Sequence, residues 1–281
     1  MHSAHDFYEA AALIAGADSL IITAGAGMGV DSGLPDFRGP EGFWGAYPAL
    51  GQIGLHFQDI ASPDAFVAYP ELAWGFYGHR LRLYRETPPG PAFAILKAIA
   101  AQLRHGAFVI TSNVDGHFQK AGFSPMQIWE AHGSIHHLQC MKSCMSGIWP
   151  AKDFDPEVDL AACRLINAPP SCPWCGELAR PNILMFGDWG WLEHRSDEQE
   201  ARFNEWRRKV DRPVVIEIGA GTAIPTVRRI SESFDAPLIR INPSEHTKGS
   251  VGGVSLATSG TKALREIADA LEVHGFRFDH S

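Results

Sequence analysis

Residues 23–38 read Thr-Ala-Gly-Ala-Gly-Met-Gly-Val-Asp-Ser-Gly-Leu-Pro-Asp-Phe-Arg and follow the apolar run Leu20-Ile21-Ile22. A short strand feeding a turn with alternate glycines, here Gly25, Gly27 and Gly29, is the usual cradle for a phosphate. Backbone N–H groups can approach closely there, where a Cβ would intrude. Glycine spacing alone is a weak signal. Val30 stands where the strict dinucleotide fingerprint has its third glycine, and no acid closing a second strand about 20 residues on is visible to hold a ribose. The tail Gly33-Leu34-Pro35-Asp36-Phe37-Arg38 adds an acid, an aromatic ring and a base to the same loop.

Outward from this turn, four more β-rich runs stand at 108–111, 214–218, 238–241 and 254–256. Helical patterns lie at 6–15, 92–103, 222–234 and 260–271. Near-continuous apolar strands alternating with helices predict an α/β fold: a Rossmann-like parallel sheet covered on both faces, with ligands beyond the carboxyl ends of its strands. Two stretches break the rhythm. Residues 39–90 are rich in Gly, Pro and aromatics and read as a loop followed by a few helices. Residues 136–180 hold all five cysteines. Both read as insertions that pack together, giving a single core unit over 1–281. Its large domain spans 1–38, 91–135 and 181–281, and its smaller lobe spans 39–90 and 136–180.

Composition narrows the function. The 281 residues suffice for a sizeable core, and an apolar share of 45% with 20% charged is ordinary for a globular chain. A net charge of −8 argues against a nucleic-acid platform, which needs clustered Lys and Arg. With no run of 18 apolar residues and no basic start to Met1–Ala17, neither a membrane span nor a signal peptide is expected. A cytoplasmic enzyme is the default; the oligomeric state is not legible.

Cys140-x3-Cys144, followed by Cys172-Pro173-Trp174-Cys175, pairs four thiols on two small loops. That is the pattern of a closed tetrahedral zinc site of structural type. Reduced cysteines without metal, or a redox Cys-x-x-Cys at 172–175, are the alternatives. Cys163 reads as a small thiol outside the site.

Past the strand at 108–111 comes Thr111-Ser112-Asn113-Val114-Asp115. Glu130-Ala131-His132-Gly133-Ser134 follows strand-like residues 127–129, and Arg180 to Asp188 reads Arg-Pro-Asn-Ile-Leu-Met-Phe-Gly-Asp. Together with the 23–38 turn and the cysteine module, in this order over about residues 15–270, the chain resembles the sirtuin family. That resemblance implies an NAD-dependent protein-lysine deacylase that releases nicotinamide and O-acyl-ADP-ribose, with acylated lysines as its protein partners. It implies that the acyl oxygen attacks C1′ of the nicotinamide ribose and that His132 is the general base. Asn113 and Asp115 would sit in the nicotinamide pocket. Ala24, Gly25, Ala26, Gly27, Asp36, Phe37, Arg38, Ser112, Gly219, Gly221, Thr222 and Asn242 would line the rest of the NAD site, and one structural Zn²⁺ would bind the four cysteines. Ile183, Met185, Phe186 and Gly187 match the segment that pairs with a substrate peptide. The chain departs from the family at Gly29, Ser112 and the 219–225 loop, which keeps ADP-ribosyl transfer or NAD hydrolysis open as alternatives, with a non-catalytic NAD-binding module behind them.

In Trp74-Gly75-Phe76-Tyr77-Gly78-His79-Arg80, Tyr77 and Arg80 are three apart and share a helix face. This Tyr-x-x-Arg pair resembles that of the desuccinylase and demalonylase class of the family, where it holds an acyl chain's distal carboxylate. The competing reading puts Arg80 on a solvated face with Arg82 and Arg85.

Overall fold

The computed structural model describes residues 4–35, 43, 45–145, 147–247 and 252–278. Asp36, Phe37 and Arg38 lie outside the described residues. The chain begins with α1 (Ala4–Ala15), β1 (Ser19–Ala24), one-turn α2 (Ala26–Val30), α3 (Pro48–Gln52), α4 (Phe57–Ile60), α5 (Pro63–Ala68), α6 (Pro70–Glu86) and α7 (Pro91–Ala100). It continues through β2 (Ala107–Thr111), α8 (His117–Lys120), β3 (Ile128–Glu130), β4 (Gly133–Cys140), β5 (Ile148–Pro150), β6 (Val158–Asp159), β7 (Arg164–Leu165) and β8 (Ala179–Ile183). It closes with α9 (His194–Arg207), β9 (Pro213–Ile218), α10 (Thr226–Glu232), β10 (Leu238–Ile241), β11 (Gly253–Leu256) and α11 (Gly260–Glu272).

Six strands form one parallel sheet in the order β11-β10-β9-β1-β2-β3. Every residue of β1, β2, β9 and β10 is buried, as expected of parallel strands covered on both faces. On one face Leu20, Ile22, Val109 and Ile216 meet α1, α7 and α11. Helix α11 turns Ala263, Leu264, Ile267 and Leu271 inward, and its first turn is capped by the Ser259 hydroxyl. On the other face Ile21, Phe108, Ile110 and Val215 meet Phe203 of α9. Each such aliphatic side chain contributes about 1.5–3 kcal/mol by leaving water.

A second core joins the two insertions. Phe43, Tyr47, Phe66, Trp74, Phe76 and Tyr77 pack against Ile135, Leu138, Leu165, Ile183 and Met185. The Trp74 indole donates to the Ala179 carbonyl at 3.0 Å, and Arg85 donates to the carbonyls of Ala151 and Phe154. These bonds fasten α6 to the cysteine-bearing segment. Strands β5, β4 and β8 form an antiparallel sheet, and the expected edges of the insertion at 136 and 180 fall inside β4 and β8. The pairing carries the chain from one core to the other without a hinge loop at those positions.

Candidate active site

A cavity of about 300 Å³ opens where the two cores meet, beyond the carboxyl ends of β1 and β2. Its wall includes Ala26, Ser112, Asn113, Asp115 and His132 from the sheet side, Tyr77 and Arg80 from α6, and Ile183, Met185 and Phe186 after β8. Side chains that the sequence scatters over more than a hundred positions therefore share one space.

The turn after β2 is wired to the turn after β1. Thr111 donates its hydroxyl to the Ala24 carbonyl at 3.0 Å and accepts from the Asn113 N–H. The Asn113 amide nitrogen donates to the Gly25 carbonyl at 2.8 Å, which leaves its side-chain oxygen as the acceptor for a ligand. Asp115 accepts the His117 backbone N–H at 2.9 Å. Burial pushes its carboxyl above the ordinary value, while the His117 imidazole and that N–H pull the other way. Gly116, at φ +73°, lets the His136 ring lie where a Cβ would be 2.7 Å from Cδ2. His136 bonds the Asp115 carbonyl through Nε2 at 2.8 Å. It is thus a satisfied polar residue, and it props the Asp115 turn.

His132 lies between β3 and β4. Its carbonyl accepts from Leu184, and its Nε2 is 3.0 Å from the Thr226 hydroxyl. Glu130, buried two residues earlier, is held by Arg195 at 2.5 Å and by Gln199. These contacts anchor the short loop that carries the imidazole. After β8, the N–H groups of Leu184 and Phe186 are spent on the carbonyls of His132 and Ala61. Gly187 takes φ +65°, and the buried Asp188 carboxylate pairs with Arg180 at 2.8 Å.

The glycine turn does a different job from the one that its spacing suggests. A Cβ on Gly25 would stand 2.6 Å from the Gly219 carbonyl oxygen, and one on Gly27 2.6 Å from the Gly219 Cα. The Gly25 and Gly27 N–H groups donate to Ile218 and Gly219. These two glycines thus serve the close fit of the β1 turn against the β9 loop, and their N–H groups are already occupied. On that loop, Thr222 donates to Glu245 through both N–H and hydroxyl, and a Cβ on Gly221 would lie 3.3 Å from the same carboxylate. Asn242 donates to the Ala220 carbonyl and accepts from Ser244 and Glu245.

Several cavity residues were not singled out from the sequence: Tyr84, Thr226, Ile224, Leu34, Phe57 and Ala61. Tyr84 carried a signal, since it lies seven residues from Tyr77 and four from Arg80 on one helix. Thr226 carried none, for its relation to His132 is purely tertiary.

The sulfurs of Cys140 and Cys175 are 3.6 Å apart, those of Cys144 and Cys172 also 3.6 Å, and all four lie within 4.8 Å of one another. Zinc–sulfur bonds of about 2.3 Å put tetrahedral edges at about 3.8 Å, so the four thiols fit a zinc ion. They are much too far apart for disulfides at about 2.05 Å. Cys163 is buried against Gly75 and takes no part.

Residues 25–217 match the Sir2 family, which is more than half of the chain. NAD-dependent protein deacylase 2 of Pyrobaculum aerophilum is 32% identical over 82% of this chain and 82% of its own length. The NAD-dependent protein deacylase of Aeropyrum pernix is 27% identical over 95% of this chain and 98% of its own. In fold, the chain is similar to a solved Sir2 homologue in complex with NAD, with a TM-score of 0.71 at 22% identity over 97% of this chain and 96% of that one. A family match over residues 25–217, with relatives of this identity and coverage, shows that the chain belongs to the Sir2 family.

Proposed function

We propose that this protein removes acyl groups from protein lysines at the expense of NAD, and that it prefers acyl chains ending in a carboxylate, such as succinyl or malonyl. The carrying observation is that Tyr77 and Arg80 line the same cavity as His132, Asn113 and Asp115. The family membership and the deacylase relatives support the NAD-dependent reaction. Two separate cores support dividing the chain into a sheet domain and a smaller lobe, with the chemistry between them. A cytoplasmic setting, which keeps thiols reduced and available to zinc, completes the reading.

When bound, NAD supplies an electrophilic ribose carbon that receives the acyl oxygen as nicotinamide departs. Asn113 and Asp115 bind the nicotinamide amide, which offers two donors and one acceptor. Ser112, Ala26 and the turn after β1 wall the same cavity and exclude water from it. His132 takes a proton from a ribose hydroxyl and later returns it, a task suited to an imidazole whose unperturbed pKa lies near neutrality. The peptide carrying the acyl-lysine lies beside the segment after β8, whose residues Ile183, Met185 and Phe186 line the cavity. Burial raises the Tyr77 phenol far above its ordinary pKa, so it stays a donor. Arg80 supplies the charge that a distal carboxylate needs.

The test incubates the purified protein with NAD and lysine peptides carrying acetyl, succinyl or malonyl groups, followed by mass spectrometry. Loss of the acyl group, faster for the acidic ones, is expected, and Arg80→Met is expected to abolish the acidic activity while sparing deacetylation. Gain of ADP-ribose on the peptide, or bare NAD hydrolysis, would replace this reading. Equal loss on all peptides in Arg80→Met would remove the acidic preference from it.

A further inference from the structure

Helix α6 carries three cavity-lining polar side chains, Tyr77, Arg80 and Tyr84, within two turns of one face. The Tyr84 oxygen accepts two bonds from Arg80, from Nε at 2.9 Å and from one terminal nitrogen at 2.6 Å. The Arg80 Cζ also lies 5.1 Å from the centre of the Phe76 ring and 5.5 Å from that of Tyr84.

Two donors of one planar fork converging on one acceptor fix both the position and the plane of a guanidinium, which a single bond would leave able to swing. The acceptor is itself tightly packed. Tyr84 is 5% exposed, and its ring stands edge-on to His117 at 6.4 Å. As an acceptor, a neutral phenol brings no negative charge of its own to compete with an anionic ligand, as a carboxylate would. Burial works against the charged guanidinium, and the hydrogen bonds to Tyr84 work for it.

We propose that Tyr84 is a positioning residue for acyl-group recognition: it locks the Arg80 guanidinium in one orientation in the cavity, so that the site receives the distal carboxylate of an acyl chain without reordering the arginine. This rests on the reading that Arg80 binds that carboxylate. It goes beyond that reading by assigning the selectivity to three residues of α6, with Tyr84 acting through Arg80.

The experiment compares steady-state kinetics of the wild type, Tyr84→Phe, Arg80→Met and the double variant on succinyl-lysine and acetyl-lysine peptides at saturating NAD. Tyr84→Phe keeps the ring and removes one oxygen. It is expected to raise KM for the succinyl peptide about tenfold or more, to leave kcat within about twofold, and to change acetyl-lysine kinetics much less than succinyl-lysine kinetics. Arg80→Met with Tyr84→Phe should lose no more succinyl activity than Arg80→Met alone, since Tyr84 acts through the arginine. If the wild type prefers succinyl-lysine and Tyr84→Phe matches it, Tyr84 has no such role while the acyl preference stands. A fall in KM would show that the phenol blocks the guanidinium, and parallel losses on both substrates would show a merely structural role; either overturns the proposal. A wild type that ignores succinyl-lysine overturns both readings together.

Discussion

The His132 Nε2 and the Thr226 hydroxyl oxygen stand 3.0 Å apart across 94 residues of chain, tying the loop after β3 to the first turn of α10. The contact engages one nitrogen of the imidazole that the proposed reaction uses as its base. His132→Ala is expected to lower kcat for deacylation by a factor of about 10² to 10⁴, with NAD binding and zinc content nearly unchanged. Thr226→Val removes one bond to the base and leaves the base in place, so a change of about tenfold or less is expected. Turnover kinetics, with NAD affinity by calorimetry, check both; a His132→Ala protein with most of its turnover would remove the imidazole from the chemistry.

One zinc per chain is expected on elemental analysis of freshly purified protein. Serine at Cys140, Cys144, Cys172 or Cys175 should lower the melting temperature and solubility, because the metal holds together two loops with little core of their own. Cys163→Ser should be mild by comparison, since that thiol lies outside the cluster. Zinc-free protein with an unchanged melting temperature would contradict the structural role.

Gly27→Ala should damage the nucleotide side without touching a catalytic group. Its new Cβ would meet the Gly219 backbone at 2.6 Å, and backbone cannot rotate away as a side chain can. The turns after β1 and β9 must separate, at a cost of about 1–3 kcal/mol. A lower denaturant midpoint together with weaker NAD binding is the expected pair of observations; unchanged NAD affinity would show that the fit of these two loops does not shape the site.

Acid should destabilise the fold before carboxylates titrate. Burial holds the His137 pKa down at about 4, with Arg195 and His136 acting in the same direction and Glu130 against it. Burial lowers His117 and His136 as well. An unfolded histidine titrates near pH ~6.5, so between there and about 4 the unfolded chain binds more protons than the fold. Stability present above that window is therefore lost as pH falls through it, by about 2 kcal/mol from His137 alone between pH 7 and pH 5. Asp115 has the opposite sign: its raised carboxyl takes up a proton at higher pH in the fold than in the unfolded chain, which offsets part of the loss at the acid end. Urea midpoints measured at pH 7, 6 and 5 should decline; a flat series would show that these imidazoles are not held neutral.

The sheet was legible because its strands are continuous apolar runs and its helices keep one apolar stripe, and both patterns are local consequences of where water is excluded. The zinc site was legible because four thiols on two short loops have few other uses. β4 was harder to see. Its run Gly-Ser-Ile-His-His-Leu-Gln-Cys mixes polar and apolar residues, since its faces meet the second core, the Asp115 turn and the Gly190 carbonyl in different places.

Sequence by itself determined the family, the order of the motifs and the four cysteines that cluster as metal ligands, because these depend on residue types at short spacings. Tertiary structure alone decided that Gly25 and Gly27 make room for the loop at Gly219, that Thr226 reaches His132, and that Arg80 is held by Tyr84 inside the cavity and not spread over a solvated helix face. Those relations depend on the distance between backbones and on which way a side chain is packed. Both are set by the meeting of two cores, which no local pattern of residues records.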